Sequence, residues 1–284
     1  MRKSSTEKTR GRKKNRYSGP SRKNIRSEQP LATYKSTELI MGRNCIFEVL
    51  QNKPSRLRKV FVAERSGGAE SEVGRRADLI DALIRAEVPF VEAERATLTE
   101  LVDSESHQGF VAVVSPRSFI SLDELVRRGE RDSSIRILAL DGLLDPQNIG
   151  AVLRAAECFG VTAVMWSRNR STDFGPVIAK ASVGASELVD LCPVGNLHQA
   201  IERLKAIGVW SIGAVVAPNA IALPSFDPPE KWVLVMGSEG DGIQRLIEKS
   251  LDFAVYIPMC GKISSLNVSQ ATAVMLSRLV EQNT

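Results

Sequence analysis

Apolar residues recur along the chain with two different periods, and the switches between them divide it into elements. Ile46, Val49 and Leu50 fall at helical spacing and predict a helix over 41–51, ended by Lys53-Pro54. Residues 58–63 alternate, with Val60 and Val62 inward, and read as a strand. Leu79, Leu83 and Ile84 predict an amphipathic helix over 72–87, and Val88-Pro89-Phe90-Val91 is short enough for a strand. Thr97-x-x-Glu100 has the spacing of a capping box and predicts a helix start there. Phe110 to Ser115 is a continuous apolar strand, and Pro116 closes the run.

A second series follows. Ser121-x-x-Glu124 predicts a capped connecting helix, and 129–134 is a polar linker. Strands are predicted over 135–140, 161–166, 209–216, 232–237 and 253–257, with helices near 149–159, 175–187, 197–207, 243–250 and 267–281. Near-continuous apolar strands separated by helices indicate an α/β fold with a parallel sheet covered on both faces. At 284 residues roughly two domains are expected. The pattern sets them at 37–116 and 135–284, joined by a linker over 117–134. No repeat of fixed period is visible.

Charge adds a third segment. Residues 1–36 hold twelve Lys and Arg against Glu7 and Glu28, a balance of +10, while the remaining 248 residues carry −5. The basic isoelectric point of about 9.1 is therefore a property of the tail. Such a block buries too little apolar surface to order itself and suits phosphate backbones, so 1–36 is expected to be a disordered basic arm that engages nucleic acid, with a merely solubilising arm as the alternative reading.

Composition excludes several classes. Hydrophobic residues make up 43% and charged residues 25%, which fits a globular chain. The best apolar run, Trp232 to Met236, is far short of a membrane span, and the basic start has no apolar core behind it, unlike a secretory signal. Lys and Gly fit an organellar transit peptide poorly. Cys45, Cys158, Cys192 and Cys260 lie far apart, and with His107 and His198 they build no zinc site of usual spacing. They read as reduced, small buried residues of a cytoplasmic protein. Two distant histidines also make a nucleophilic triad unlikely.

Ligands of open parallel sheets bind beyond the C-terminal strand ends, so the loops there carry the candidate chemistry. Asp141 to Arg154 runs from a strand into a helix whose start, near Asn148 and Arg154, favours an anion. Asn148 as a plain N-cap and Arg154 on a solvated face is the alternative reading. Gly237-Ser238-Glu239-Gly240-Asp241-Gly242 follows a buried strand as G-x-x-G-x-G, which is not the dinucleotide fingerprint. Tyr256 to Ala271 breaks at Pro258 and offers Ser264, Ser265, Asn267 and Ser269 at a helix start, more small polar groups than capping needs.

Together these loops resemble the three motifs of the TrmH (SpoU) class of SPOUT RNA 2′-O-methyltransferases, over about 135–284. The first matches N-x-G-x-x-x-R, the second a strand followed by G-x-E-G, and the third I-P-M-x-G-x-x-S-S-L-N-V-S. Lys180 to Ala185 is similar to the family's small-residue stretch. Residues 40–115, with Gly42 to Leu50 and His107-Gln108-Gly109, resemble its N-terminal substrate-binding domain of ribosomal-protein L30e type.

The resemblance implies a deep trefoil knot that binds S-adenosylmethionine, with Gly237, Ile257 and Leu266 lining its pocket. Arg154 and Asn148 would handle a ribose 2′-hydroxyl, with Glu239, Ser265 and Asn267 shaping the site, and no metal is called for. Arg154 is the family's assigned base; since a guanidinium gives up its proton with difficulty, it would instead hold phosphate and stabilise the alkoxide. The expected substrate is a guanosine of 23S ribosomal RNA, acted on by a cytoplasmic homodimer whose sites use both subunits. Methylation of tRNA, or a non-catalytic RNA-binding or ribosome-assembly role on the same fold, are the alternatives.

Overall fold

The structure, a computed structural model, describes residues 38–64, 70–170 and 174–281. The basic arm expected over 1–36 lies outside the described residues. In chain order the first elements are β1 (Leu39–Met41), α1 (Arg43–Asn52), β2 (Leu57–Ala63), α2 (Glu70–Arg85), β3 (Phe90–Ala93), α3 (Arg95–Val102) and β4 (Phe110–Val114). They form a four-stranded sheet in the order β1-β4-β2-β3, with β4 antiparallel to both neighbours and β3 parallel to β2.

The second series comprises α4 (Leu122–Arg131), β5 (Arg136–Asp141), α5 (Pro146–Cys158), β6 (Ala163–Ser167), α6 (Pro176–Ala181), β7 (Asp190–Val194), α7 (Leu197–Lys205), β8 (Trp210–Ala214), β9 (Ile221–Ala222), β10 (Trp232–Gly237), α8 (Arg245–Ser250), β11 (Phe253–Tyr256) and α9 (Val268–Glu281). Its seven strands pair throughout in parallel, in the order β7-β6-β5-β10-β8-β11-β9. Successive strand residues face opposite ways, so both faces must be apolar when both are covered. Leu138, Leu140, Leu234 and Met236 pack on one face with α5, α6 and α9. Ile137, Ala139, Val233 and Val235 pack on the other with α4, α7 and α8. That double burial is why these strands read as unbroken apolar runs.

Several expectations are corrected. The apolar run at Leu39 to Met41 is a strand, so the first helix starts at Arg43 rather than 41. Thr97 opens no helix, because α3 begins two residues earlier behind Glu94, and Thr97 sits inside its first turn. The expected helix over 175–187 stops at Ala181, where Val183 and Gly184 turn left-handed at φ 55° and 91°. Strand β7 went unread because of Pro193, which an edge strand tolerates. Ser121 does cap α4, accepting the Glu124 N–H at 3.2 Å. Of the cysteines, Cys45 and Cys192 are buried, but Cys158 and Cys260 are exposed.

The two sheets are joined through the turn after α6. A Cβ at Gly184 would stand 2.9 Å from the Glu48 Cβ and 3.3 Å from the Cys45 Cα, so only glycine lets α1 approach this closely. Beside it Glu187, 4% exposed, pairs with Arg117 and at 2.8 Å with Arg56. Both arginines also pair with Glu38, at 3.3 and 2.7 Å. Burial and then the Glu187 carboxylate push the neighbouring Cys45 thiol far up, so it stays protonated.

Candidate active site

Three loops meet where β5 and β10 end. The first opens α5. Asp145 is its N-cap, accepting the Gln147 and Asn148 N–H groups at 3.3 and 2.9 Å, and Pro146 fills the first helical position. Capping by Asp145 corrects the alternative reading of Asn148 and frees its side chain for other contacts.

The second loop follows β10, where Gly237 is the register partner of Asp141. Ser238 and Gly242 exchange backbone hydrogen bonds of 3.2 and 3.1 Å, which puts Glu239 at the tip of a tight turn. A Cβ at Gly237 would lie 2.2 Å from the Gly242 carbonyl carbon. The glycine is thus required by the chain's own backbone before any ligand is considered. Asp141, 1% exposed, holds the far side of the turn by accepting the Gln244 N–H at 2.7 Å and its side-chain amide at 2.5 Å.

The third loop ends in Asn267, the cap of α9. Its Oδ1 accepts the Ser269 N–H at 2.8 Å. Its Nδ2 donates to Glu239 Oε1 at 2.7 Å and to Asn148 Oδ1 at 2.9 Å. Asn148 Nδ2 donates to the same Glu239 oxygen at 3.2 Å, and the Val268 N–H approaches it at 3.4 Å. One carboxylate oxygen therefore collects three donors at the converging N-termini of α5 and α9, where helix dipoles favour negative charge. Oε2 has no partner among the described residues and remains an acceptor for an incoming hydroxyl or amine.

The structure thus joins Asn148, Glu239 and Asn267 across 119 residues of sequence. It does not bring in Arg154 or Ser265. Arg154 lies six residues beyond Asn148 on α5, about 9 Å along the axis and roughly a third of a turn round. It is exposed and unpaired among the described residues. Ser265 is exposed in the loop before Asn267 and caps nothing. Of the expected pocket residues, Gly237 is half-buried, Ile257 packs against the core, and Leu266 is 37% exposed. Sequence reading missed Asp141 and Gln244. An acidic residue at the end of a buried strand, with no cation near in sequence, was the available signal.

Comparison with known proteins gives the chain its family. A family model described as the SpoU rRNA methylase family matches residues 136–277, and one described as RNA 2′-O ribose methyltransferase substrate binding matches 39–120. The 23S rRNA (guanosine-2′-O-)-methyltransferase RlmB of Pseudomonas putida is 38% identical over 249 residues, covering 86% of this chain and 96% of the relative. The enzyme of the same name from Vibrio cholerae is 35% identical over 251 residues, covering 87% and 98%. Among solved structures, an AdoMet-bound rRNA methyltransferase from Sinorhizobium meliloti superimposes with a TM-score of 0.70 at 17% identity, covering 89% of this chain and 94% of that one. The last comparison concerns the fold alone: α/β with a parallel sheet.

Proposed function

The chain belongs to the SpoU rRNA methylase family, and on that premise we propose that it methylates the ribose 2′-oxygen of a guanosine in 23S ribosomal RNA, using S-adenosylmethionine. The observation that carries the reading is the Asn148–Glu239–Asn267 cluster, which assembles three loops on one carboxylate.

The donor fits the residues present. The backbone groups of 257–266 make no backbone hydrogen bond among the described residues, which leaves N–H and C=O groups for a purine edge and ribose. Ile257 and Leu266 supply apolar contact beside them, and Gly237 sets the neighbouring turn. When bound, S-adenosylmethionine supplies an electrophilic methyl group on a sulfonium. The chain must then position the ribose hydroxyl and accept its proton. Glu239, its Oε1 fixed by three donors, keeps Oε2 to orient the hydroxyl or receive that proton. Arg154 holds the adjacent phosphate and stabilises the developing alkoxide, since a guanidinium is a poor base. Ser265 lines the entrance to the pocket.

Arg154 stands away from the cluster of its own chain, which supports a homodimer in which a second copy completes each site. Exposed Leu144, Leu246 and Val274 give the methylase unit apolar surface for that contact. Family membership further supports a trefoil knot closed by the segment leading into α9, and an L30e-like substrate-binding unit over 37–116 joined by 117–134 to the methylase unit over 135–284. The arm at 1–36 adds phosphate contacts without base readout. Among the described residues no helix is long and apolar enough to cross a membrane, and no group of three or more metal-ligating side chains occurs. A substrate in ribosomal RNA puts its work in the cytoplasm.

Mapping 2′-O-methylation across ribosomal RNA from cells with and without the gene tests the reading. One guanosine of 23S RNA should lose its methyl group; a loss confined to tRNA, or none, overturns it.

A further inference from the structure

Against the last residues of β6 lies a ladder of aromatic rings that the methyl-transfer site does not use. Phe174 stacks on Trp166 with ring centres 4.4 Å apart and planes 27° apart. Phe119 meets the other side of the ladder edge-on, 6.1 Å from Trp166 at 72°. The Arg117 guanidinium lies 5.9 Å over Phe174, and its pairing with Glu38 and Glu187 anchors the inner end. Trp166 is buried, but Phe119 at the outer end is 47% exposed.

A single exposed apolar residue is ordinary. Three further facts set Phe119 apart. Its ring abuts Trp166, which is itself stacked on Phe174, so it is backed by a packed pair of rings. Its neighbour Trp166 is the register partner of Leu140, one residue before Asp141 on the strand that leads to Asn148. Trp166 is two strand spacings of about 4.8 Å from β10 and its Glu239 turn, and Phe119 lies one ring beyond it, so the platform stands a few nucleotides from the cluster. Finally, a cation stands two residues past Trp166. The Arg168 Nε donates at 3.3 Å to the carbonyl of Pro193, itself the register partner of Trp166. The remaining nitrogens of this exposed guanidinium have no partner among the described residues.

Reaching a 2′-hydroxyl in structured RNA requires splaying the strand locally, and unstacked bases are recovered on aromatic side chains. We propose that Phe119 is a stacking platform for a nucleobase flanking the methylated ribose, with Arg168 on a neighbouring phosphate. This subsite rests on the RNA-methylation reading above.

The test uses the full chain and an unmodified 23S rRNA transcript, with binding measured across a salt series. Phe119→Ala should weaken binding by between about 5-fold and about 150-fold, the range for a lost base–aromatic stack, without changing the salt slope. Phe119→Trp should stay near wild type. Phe119→Leu, which keeps apolar packing but no ring, should behave like alanine. Arg168→Ala should instead reduce the salt slope by about 0.7 to 0.9, one phosphate contact. Wild-type binding by Phe119→Ala or by Phe119→Leu overturns the platform. So does a shift to monomers on sedimentation of Phe119→Ala, which would make the ring a subunit contact. Failure of the wild-type chain to bind or methylate the transcript overturns the RNA reading itself, and the subsite with it.

Discussion

Asn267 holds Glu239 and caps α9 with the two ends of one amide: Nδ2 donates to Glu239 Oε1 at 2.7 Å while Oδ1 accepts the Ser269 N–H at 2.8 Å. One side chain thus ties the start of the last helix to the carboxylate.

Glu239→Gln keeps an acceptor oxygen for its three donors but removes the charge; Glu239→Ala removes both. If the carboxylate takes part in proton handling, both variants should lose methyl transfer by about 100-fold or more, the usual range for general acid–base groups. If it only organises the loops, Glu239→Gln should retain most activity. Single-turnover rates with each variant distinguish the two.

The Asp141–Gln244 clamp holds the turn that carries Glu239. Asp141→Leu removes both acceptors and leaves the Gln244 N–H and side-chain amide without partners, so methyl transfer should fall by about 10-fold to 100-fold as the turn loosens and Glu239 is misplaced. Gln244→Ala loses only the side-chain bond and keeps the backbone one, so it should cost less. In a double-mutant cycle the two losses should fall short of additive, because Asp141→Leu already removes the partner of Gln244.

Gly237→Val forces a branched side chain onto Gly242, whose carbonyl carbon would lie 2.2 Å from the new Cβ. Overpacking of this kind costs about 1–3 kcal/mol or more. The variant should therefore lower the melting temperature even without donor present, as differential scanning calorimetry of the donor-free protein reads directly.

These variants show where sequence was sufficient and where it was not. The parallel sheet was legible because Leu138, Leu140, Val233 and Val235 are buried whichever way they face. Asn148 and Asn267 could be singled out because each lies at a helix start after an apolar strand, and Glu239 through the resemblance of its loop to the family's second motif. Their mutual hydrogen bonds were not legible, since 91 and 28 residues separate the partners and only strand order brings them together. Thr97 misled because its capping-box spacing coincides with a helix already begun at Arg95. Strand β7 was hidden by Pro193, and β9 by having two residues.

His107 is buried and accepts the Gly109 N–H on Nδ1 at 3.0 Å, so its neutral form carries the proton on Nε2, facing Thr99 Oγ1 at 3.2 Å. Burial first, then Arg95 and Lys180, hold its pKa below the ordinary 6.5. As pH falls, the unfolded chain takes up the proton before the folded one. Stability contributed by the neutral ring is full above about 6.5 and is lost towards the lower folded value. The melting temperature should drop as pH falls below about 6.5, and His107→Gln, though less stable overall, should flatten that part of the profile. An unchanged profile would show that another group titrates there.

Methyl transfer itself is the most direct measure of the account. S-adenosylmethionine carrying a labelled methyl group is incubated with the full chain and an unmodified 23S rRNA transcript, and the RNA is digested to nucleosides. The label should appear in 2′-O-methylguanosine, should vanish with Arg154→Ala, and should do so with donor affinity nearly intact. Label on a base, label in another nucleoside, or full activity of Arg154→Ala would contradict the assignment of this site to ribose methylation.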